Sequence, residues 1–295
     1  MTEETETPLS AAAREHVLLT QKVAQTTEFE APERTRVMVV ANQKGGVGKT
    51  TTTVNIAAAM ALRGLQVLVI DLDPQGNAST ALNIDHSEGT PGSYEALVSS
   101  VPFSELVVPA PDFPGLHVLP ASIDLAGAEI ELVSLVARES RLRNALNAYL
   151  QLNESSSNRF DYVIIDCPPS LGLLTLNAMV AAEEVLIPIQ CEYYALEGLS
   201  QLIRNIDLIR TQLNPGLEIT TVLLTMYDSR TRLSQQVADE VRKYFGPKVL
   251  HTTIPRSVRI SEAPSYAQTV LTYDPKSAGS LSYFEAAREI TEVKL

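Results

Sequence analysis

The chain is poor in cysteine and in positive charge, and it lacks long hydrophobic runs. Two cysteines among 295 residues, Cys167 and Cys191, cannot form a disulfide framework, which indicates a reducing compartment such as the cytoplasm. Neither lies in a C-x-x-C or Cys/His cluster, which argues against a metal or iron–sulfur site within one chain. No apolar run reaches the roughly 18 residues needed to span a bilayer, and the polar, acidic residues 1–8 are unlike a signal peptide.

The formal net charge of −12 favours solubility and, taken alone, argues against a nucleic-acid partner. A local basic patch can overrule the net charge, so the position of each arginine matters. The length and the 45% hydrophobic content suffice for one large α/β domain or two small ones. We predict that residues 1–34 form an acidic, flexible N-terminal tail, with a short helix over residues 10–25, and that residues 35–295 form a single domain.

Apolar strands and helices alternate from residue 36 onward, a pattern typical of a doubly wound, mostly parallel sheet flanked by helices. Ligands of such sheets bind at the carboxyl ends of the strands. The strands are predicted at residues 37–41, 66–71, 116–120, 162–166, 185–189, 219–225 and 249–254. The helices are predicted at residues 50–63, 94–99, 125–150 in one or two pieces, 173–182, 196–213, 233–245 and 283–293.

A glycine-rich segment, residues 44–51, reads Lys-Gly-Gly-Val-Gly-Lys-Thr-Thr and follows the first strand directly. Its glycines let backbone N–H groups face an anion, and the next helix adds the positive end of its dipole. Lys49 can reach the β- and γ-phosphates of a nucleotide, and the Thr50 hydroxyl can ligate Mg²⁺. The first glycine of the usual G-x-x-x-x-G-K-[ST] pattern is absent, and a second lysine, Lys44, opens the loop. We predict a phosphate-binding loop; the alternative is a plain glycine-rich turn.

Two aspartates at strand ends complete the predicted nucleotide site. Asp166 ends an apolar strand and is followed by Cys-Pro-Pro-Ser, where a carboxylate can hold Mg²⁺ directly or through a water. Asp73 follows the second strand with the turn-rich Pro-Gln-Gly-Asn behind it, where it can position the attacking water on a loop that moves. The alternatives are an ordinary strand-end aspartate that caps a turn and a turn residue that serves geometry alone.

Four arginines follow the last two predicted strands, at Arg230, Arg232, Arg256 and Arg259. In so acidic a chain, arginines gathered at strand ends can form a positive stripe on one face. The alternative for each is a solvated arginine paired with a nearby carboxylate.

Four motifs taken together resemble the ParA/Soj chromosome-partitioning ATPases. These belong to the deviant-Walker class with a signature lysine, which also contains MinD and the nitrogenase iron protein. The motifs are the loop at residues 44–51, Asp71–Asn77, Asp166–Ser170 and Ile254–Pro264, in order within about residues 36–292. The resemblance implies a P-loop fold in which two subunits sandwich two ATP molecules with Mg²⁺, and Lys44 reaches into the partner's site. A second cation there would neutralise developing phosphate charge, which makes dimerisation a condition for hydrolysis.

The resemblance also assigns roles to individual residues. Lys44, Lys49 and Asp73 correspond to the catalytic groups, while Thr50 and Asp166 correspond to the magnesium ligands. The implied nucleotide contacts are Lys44, Gly45, Gly46, Val47, Gly48, Lys49, Thr50, Thr51, Met226 and Pro255, with Pro255 near the adenine.

The resemblance implies that the ATP-bound dimer binds double-stranded DNA without sequence preference. The arginines that match best are Arg230 and Arg259, followed by Arg232 and Arg256. Such binding should weaken steeply with salt. A ParB-type partner would stimulate a slow hydrolysis and release the dimer, which moves the chromosome origin. The expected location is the cytoplasm, on the nucleoid.

The sequence departs from some members of the class. A tail of about 34 residues is too short for a helix-turn-helix domain with its linker. Residues 284–295 carry at least as much acid as base, which disfavours an anionic membrane surface. The open alternatives are an ATPase that positions another cargo on the nucleoid, a MinD-like membrane-associated division regulator, and an enzyme of synthesis or reduction.

Overall fold

The computed structural model of the chain describes residues 17, 19–21, 23, 28–155, 158–193 and 198–293. Eight strands of this part belong to one sheet. They are β1 Arg36–Val40, β2 Val67–Asp71, β3 Val108–Pro109, β4 Leu116–Leu119, β5 Tyr162–Asp166, β6 Glu184–Gln190, β7 Glu218–Tyr227 and β8 Val249–Pro255. Their order across the sheet is β3-β4-β2-β5-β1-β6-β7-β8, and β3 alone pairs antiparallel among these eight.

Helices cover both faces of the sheet. The α-helices of the described part are α1 Lys49–Leu62, α2 Asn77–Ala81, α3 Phe103–Leu106, α4 Leu125–Leu132, α5 Arg141–Ser155, α6 Leu173–Ala181, α7 Leu199–Gln212, α8 Arg232–Phe245, α9 Val258–Glu262, α10 Val270–Tyr273 and α11 Ala278–Glu292. A π-helical turn spans Glu95–Ser99, and 3₁₀ turns span Gly246–Lys248 and Ala263–Tyr266.

The central strands are buried on both faces because their side chains alternate between two apolar cores. In β1, Val37 and Val39 pack into one core while Met38 and Val40 pack into the other. All five residues of β1 are buried, as are those of β2 and β5. This burial explains why these strands are continuous apolar runs instead of alternating ones. The predicted doubly wound, mostly parallel α/β sheet is confirmed.

The register brings the ends of three central strands together. Asp166 at the end of β5 pairs with Val40 at the end of β1 and with Asp71 at the end of β2. Toward the β8 end of the strand order, Tyr227 of β7 pairs with Pro255 of β8. The motifs that follow these strands therefore share the carboxyl edge of the sheet, where parallel α/β folds bind their ligands.

Several element boundaries differ from the prediction. The region predicted helical over 125–150 forms two helices, α4 and α5, separated by residues 133–140, where Ala137 has a φ of +53°. The last helix begins at Ala278 instead of residue 283, because Ser277 caps it by accepting the Ser280 N–H. The helices α2, α3, α9 and α10 and the strand β3 were not predicted, because two to five residues carry too little periodicity.

Most of the predicted helix over residues 10–25 and of the tail at 1–34 lies outside the described residues, as does the predicted start of α7 at residue 196. The residues described within that predicted helix, 17, 19–21 and 23, are helical. The division of the chain near residue 35 stays a prediction. Within the described part, no helix is long and apolar enough to cross a membrane.

Candidate functional site

The loop between β1 and α1 has a backbone that only glycine adopts easily. Gly46 and Gly48 have φ values of +73° and +88°, in the left-handed region, and α1 begins at the next residue, Lys49. The Thr225 hydroxyl of β7 donates to the Val47 carbonyl over 2.8 Å and fixes the loop from the neighbouring strand. The result is a curved backbone at the N-terminal end of a fourteen-residue helix, which is an arrangement suited to anion binding.

Lys49 is buried at the base of this loop, with 7% of its surface exposed. Burial lowers the pKa of Lys49, while the charges of Asp166 and Asp73 act in the opposite direction. An ammonium held there is poised to gain from an anion that reaches the loop, since it has already lost most of its hydration.

Asp166 lies fully buried beside the start of α1. Burial, followed by the charge of Asp71, raises the pKa of Asp166 to about 8, and the nearby hydroxyls of Thr50 and Thr53 act against this shift. Thr53 Oγ1 lies 3.2 Å from Asp166 Oδ1, whereas Asp166 Oδ2 has no hydrogen-bond partner in the described part of the chain. A buried carboxylate oxygen without a hydrogen bond lowers the stability of the fold, and a cation or its bound water would supply the missing partner.

The donor set at this position suits magnesium. No group of three or more His, Cys, Asp and Glu side chains in the described ranges could hold a metal by itself. Mg²⁺ usually takes only one or two protein ligands and completes its shell with water and substrate phosphates. Thr50 and Asp166, next to a phosphate-binding loop, match this pattern, and their assignment as ligands stays a prediction.

The two aspartates after β2 have different surroundings. Asp71 is fully buried, and its Oδ2 accepts the Ser79 N–H at 2.9 Å and the Ser79 hydroxyl at 2.8 Å. Burial raises its pKa to about 6. Asp73 is 8% exposed, and its Oδ1 accepts the Gln75 N–H at 3.0 Å. Because the charge of Asp73 acts on Lys49, the structure places it near the loop, while Asp71 ties α2 to the sheet.

Lys44 sits at the opening of the loop with its side chain directed to a carboxylate of its own chain. Its Nζ lies 3.8 Å from Glu192 Oε2, and both side chains are partly exposed. The Lys44 N–H donates to Asn42 Oδ1 over 3.0 Å. A Cβ added to Gly45 or Gly46 would meet no atom of the described residues within 4 Å, so nothing in that part of the chain requires Gly45 to be small.

Met226 and Pro255, the predicted nucleotide contacts farther along the chain, lie at the ends of β7 and β8. Met226 has a φ of +51°, an uncommon conformation for a residue with a long side chain. The Arg256 N–H donates to the Tyr227 carbonyl over 3.1 Å, which holds the two strand ends together. The structure therefore places both residues at the carboxyl edge that carries the loop.

The four predicted DNA-contacting arginines are exposed at the same edge, and two of them are paired with their own chain. Arg230 Nε and Nη2 donate to the two oxygens of Asp228 over 2.9 and 2.8 Å, and this pair lowers the pKa of Asp228 to about 2. The charge of Arg256 also acts on Asp228, so these two arginines lie close together.

Arg259 and Arg232 occupy separate positions beyond this pair. Arg259 lies 3.4 Å from Glu262 and 3.6 Å from Asp274. Arg232 is the first residue of α8. All four arginines follow β7 or β8, as predicted, and their role in DNA binding stays a prediction.

Sequence reasoning missed five residues that shape the site: Asn42, Thr53, Ser79, Glu192 and Thr225. Two of them had a usable signal, because Thr225 ends a predicted strand and Glu192 follows one, at the edge where ligands bind. Thr53 and Ser79 lie within helices and turn toward Asp166 and Asp71, which only the tertiary structure reveals.

Comparison with known proteins agrees with the class of protein that the motifs and the sheet indicate. Residues 35–219 match the family described as an AAA domain. The chain is 52% identical over 255 residues to the chromosome partitioning protein ParA of Caulobacter vibrioides strain NA1000 / CB15N, covering 86% of this chain and 93% of that protein. It is 50% identical over 255 residues to the sporulation initiation inhibitor protein Soj of Bacillus subtilis strain 168, covering 86% and 98% respectively.

Solved structures are also similar. A structure named cobyrinic acid a,c-diamide synthase from Mycobacterium smegmatis, with bound ATP analog and magnesium, has a TM-score of 0.73 at 41% identity over 87% of this chain and 94% of that one. The septum site-determining protein MinD of Pyrococcus horikoshii, complexed with Mg-ADP, has a TM-score of 0.67 at 23% identity over 88% and 96%. The second likeness concerns the fold alone.

The mostly parallel sheet, the lysine-bearing glycine loop and the aspartates at the strand ends define a P-loop NTPase of the ParA/MinD type. Within that class, the identity to curated relatives is high and extends over most of the chain. The chain belongs to the ParA/Soj family of chromosome-partitioning ATPases.

Proposed function

We propose that this protein is an ATP-dependent switch that dimerises around nucleotide, binds DNA without sequence preference in the ATP state, and partitions chromosomes. One observation carries the proposal. Lys49 and the unpartnered oxygen of Asp166 are buried beneath a glycine loop, at the same edge of the sheet that exposes the four arginines. A nucleotide bound there would lie within reach of the elements that carry the DNA contacts.

The proposed ligand of the loop is ATP with Mg²⁺. The loop and Lys49 would hold the phosphates, with Thr50 and Asp166 at the metal. When bound, Mg²⁺ neutralises charge that develops on the phosphates. Asp73 would orient the attacking water, supported by its burial and its nearness to Lys49. The solved relative at 41% identity, which holds an ATP analog and magnesium, supports this choice of ligand.

Dimerisation is supported by the surroundings of Lys44. Its ammonium is partly exposed, and among the described residues its one ion pair is a long, partly exposed contact with Glu192. Gly45 and Gly46 border open space, where a second backbone could approach. In the proposed dimer, Lys44 leaves Glu192 and reaches the partner's phosphates, so hydrolysis needs two subunits.

The DNA contacts proposed are Arg230 and Arg259, with Arg232 and Arg256 beside them. Their exposure at one edge supports this assignment, and phosphate contacts alone would give salt-sensitive, sequence-independent binding. Dimerisation would double the number of these arginines on one face, which offsets the net negative charge of the chain. A ParB-type protein bound at a centromere-like site is the proposed partner that stimulates a slow hydrolysis on the nucleoid.

Two other functions share parts of this site. An ATPase that positions a different cargo would use the same residues with another partner. A synthetic enzyme is suggested by the name of the M. smegmatis relative, and it would turn over ATP in the presence of a small-molecule acceptor without DNA. Because the curated relatives at 50–52% identity are a ParA and a Soj, we favour partitioning.

The test is binding to a random-sequence duplex without nucleotide, with ADP and with ATP, repeated at rising salt and alongside anionic liposomes. We expect binding only with ATP, falling with salt, and no liposome binding. Lys49→Ala should lose ATP-dependent dimerisation, and an ATP-dependent dimer of this variant would refute the loop assignment.

The double variant Arg230→Ala with Arg259→Ala should dimerise with ATP but lose DNA binding. Arg210→Ala is the matched control, because Arg210 is also an exposed arginine paired with an aspartate, but on α7. Unchanged DNA affinity in the double variant would mean that other residues make the DNA contacts. Liposome binding with ATP, without DNA binding, would instead favour the MinD-like membrane-associated division regulator.

A further inference from the structure

The short helix α2 ends in a turn that sends the chain back toward its own beginning. Asn83 has a φ of +57°, the Asn83 N–H donates to the Thr80 carbonyl over 3.0 Å, and the Ile84 N–H donates to the Ser79 carbonyl over 2.9 Å. This pair of bonds is the Schellman motif, which reverses the chain at a helix end. His86 is thereby carried back to the first turn of α2, next to Gly76.

The His86 ring contacts both Thr80 and Gly76. Its Nε2 lies 2.8 Å from Thr80 Oγ1, and Thr80 Oγ1 donates to the Gly76 carbonyl over 3.0 Å. We assign the single hydroxyl proton of Thr80 to that carbonyl, in which case Thr80 accepts from His86 and Nε2 carries the proton. On its other side, the ring is so close to Gly76 that an added Cβ would lie 2.6 Å from Nδ1.

Gly76 in turn belongs to the turn that carries Asp73. The Gly76 N–H donates to the Asp73 carbonyl over 2.8 Å, and the Gln75 N–H donates to Asp73 Oδ1 over 3.0 Å. Gly76 is buried with a φ of +61°, and its missing Cβ would also lie 3.0 Å from the Ala121 carbonyl. The turn is therefore held between the His86 ring on one side and the backbone at Ala121, just past the end of β4, on the other.

We propose that His86 is a positioning residue for ATP hydrolysis: its ring and its Nε2–H, acting through Thr80 and Gly76, hold Asp73 in the conformation that orients the attacking water. The inference rests on the proposed role of Asp73 and adds a residue outside the motifs of the loop and the strand ends. His86 touches neither nucleotide nor water in this role, so its loss should slow hydrolysis without weakening nucleotide binding.

Three variants separate the ring from its hydrogen bond. His86→Phe keeps a ring against Gly76 and removes the donor, His86→Gln keeps a donor in the place of Nε2, and Thr80→Val removes the acceptor at constant shape. We expect His86→Phe and Thr80→Val each to lower kcat about fivefold, as the loss of one net hydrogen bond allows, with unchanged affinity for a fluorescent ATP analogue. His86→Gln should restore most of the rate. Thr80→Val also removes the bond to the Gly76 carbonyl, so combining the Phe and Val changes should lower kcat no further than Thr80→Val alone.

Hydrolysis is measured with the full chain, saturating ATP–Mg²⁺ and saturating DNA. His251→Phe is the matched control and should keep the unaltered rate, because His251 is an exposed histidine on β8. Asp73→Asn separates the two hypotheses: an unaltered rate in that variant refutes the role of Asp73 itself. A loss of rate in Asp73→Asn together with an unaltered kcat in His86→Phe overturns the positioning role alone. A proportional loss of nucleotide affinity in His86→Phe overturns it as well.

Discussion

At the residue scale, the site is a set of ionisable side chains that are buried before any ligand binds. Lys49, Asp71 and Asp166 lie almost entirely out of solvent, and Asp166 keeps one oxygen without a hydrogen bond among the described residues. Burial of this kind opposes folding and would favour a bound state, since the proposed nucleotide and cation would supply the missing partners. The same residues therefore set both the affinity for the ligand and the stability of the empty chain.

We expect the nucleotide-free chain to lose thermal stability as the pH rises. The pKa of Asp166 is about 8 and that of Asp71 about 6, against an ordinary 3.8, so the folded chain holds protons that the unfolded chain has released. Stability therefore declines from about pH 4 up to about pH 8. Tm should fall between about pH 6 and pH 8, and Asp166→Asn should reduce that fall. A Tm of the unaltered chain that climbs over this range would contradict the argument.

Asp228 should limit the affinity for DNA. Both oxygens of its carboxylate accept hydrogen bonds from the Arg230 guanidinium. In the proposed complex, a DNA phosphate would have to displace this carboxylate. Asp228→Asn keeps the side-chain oxygen that accepts the Arg230 N–H, and we expect about two- to fivefold tighter binding to random duplex in the ATP state. Asp207→Asn on α7, where Asp207 pairs with Arg210, should leave the affinity unchanged. Equal affinity in both variants would show that the pair does not compete with phosphate.

At the element scale, local signals predicted the long elements, and tertiary contacts decided the short ones. The positions of Lys49 and Asp166 could be predicted because the loop that carries Lys49 follows a buried strand and Asp166 ends one, each within a local motif. His86 and Ser79 could not, since each acts through α2, a helix too short to show a period. The helix α2 exists because Asp71 and Ser79 hold it, and five residues have little helical stability of their own.

The last helix offers a test of capping. Ser277 accepts the Ser280 N–H at the start of α11, which packs against α1 and β8. Ser277→Ala should lower the free energy of unfolding by about 1 kcal/mol, measured in urea. Ser277→Asp keeps an acceptor at the cap and should match the unaltered chain. An equal loss in both variants would assign the effect to the side chain's packing and not to its hydrogen bond.

At the scale of the whole molecule, the amino edge of the sheet is closed by a buried ion pair. Arg36 of β1 binds both oxygens of Glu184 over 2.7 Å, with both side chains at most 5% exposed. Arg36 Nη1 also donates to the Ile290 carbonyl over 2.9 Å, and the Thr220 hydroxyl donates to Glu184. Strands β1, β6 and β7 and the end of α11 thus meet at one guanidinium and one carboxylate.

Removal of one partner of this pair should be costly. Arg36→Met leaves the Glu184 charge buried without its cation, and we expect a loss of about 3–5 kcal/mol in urea unfolding. Arg36→Met with Glu184→Leu should recover part of that loss, because the uncompensated charge is gone. A double variant no more stable than the single one would mean that the bonds of Arg36 to α11 and to the Tyr162 hydroxyl, which accepts from Nη1 over 3.1 Å, dominate over the charges.

The described chain enters and leaves the fold at that same closed edge. The Phe29 N–H bonds to the carbonyl of Arg63, just past the end of α1, and the carbonyls of Ile290 and Val293 meet Arg36. Both points lie across the sheet from the loop and the arginines. A reporter dye or a surface anchor attached near either point would act as a handle at the back of the molecule, leaving the nucleotide edge open to the solution.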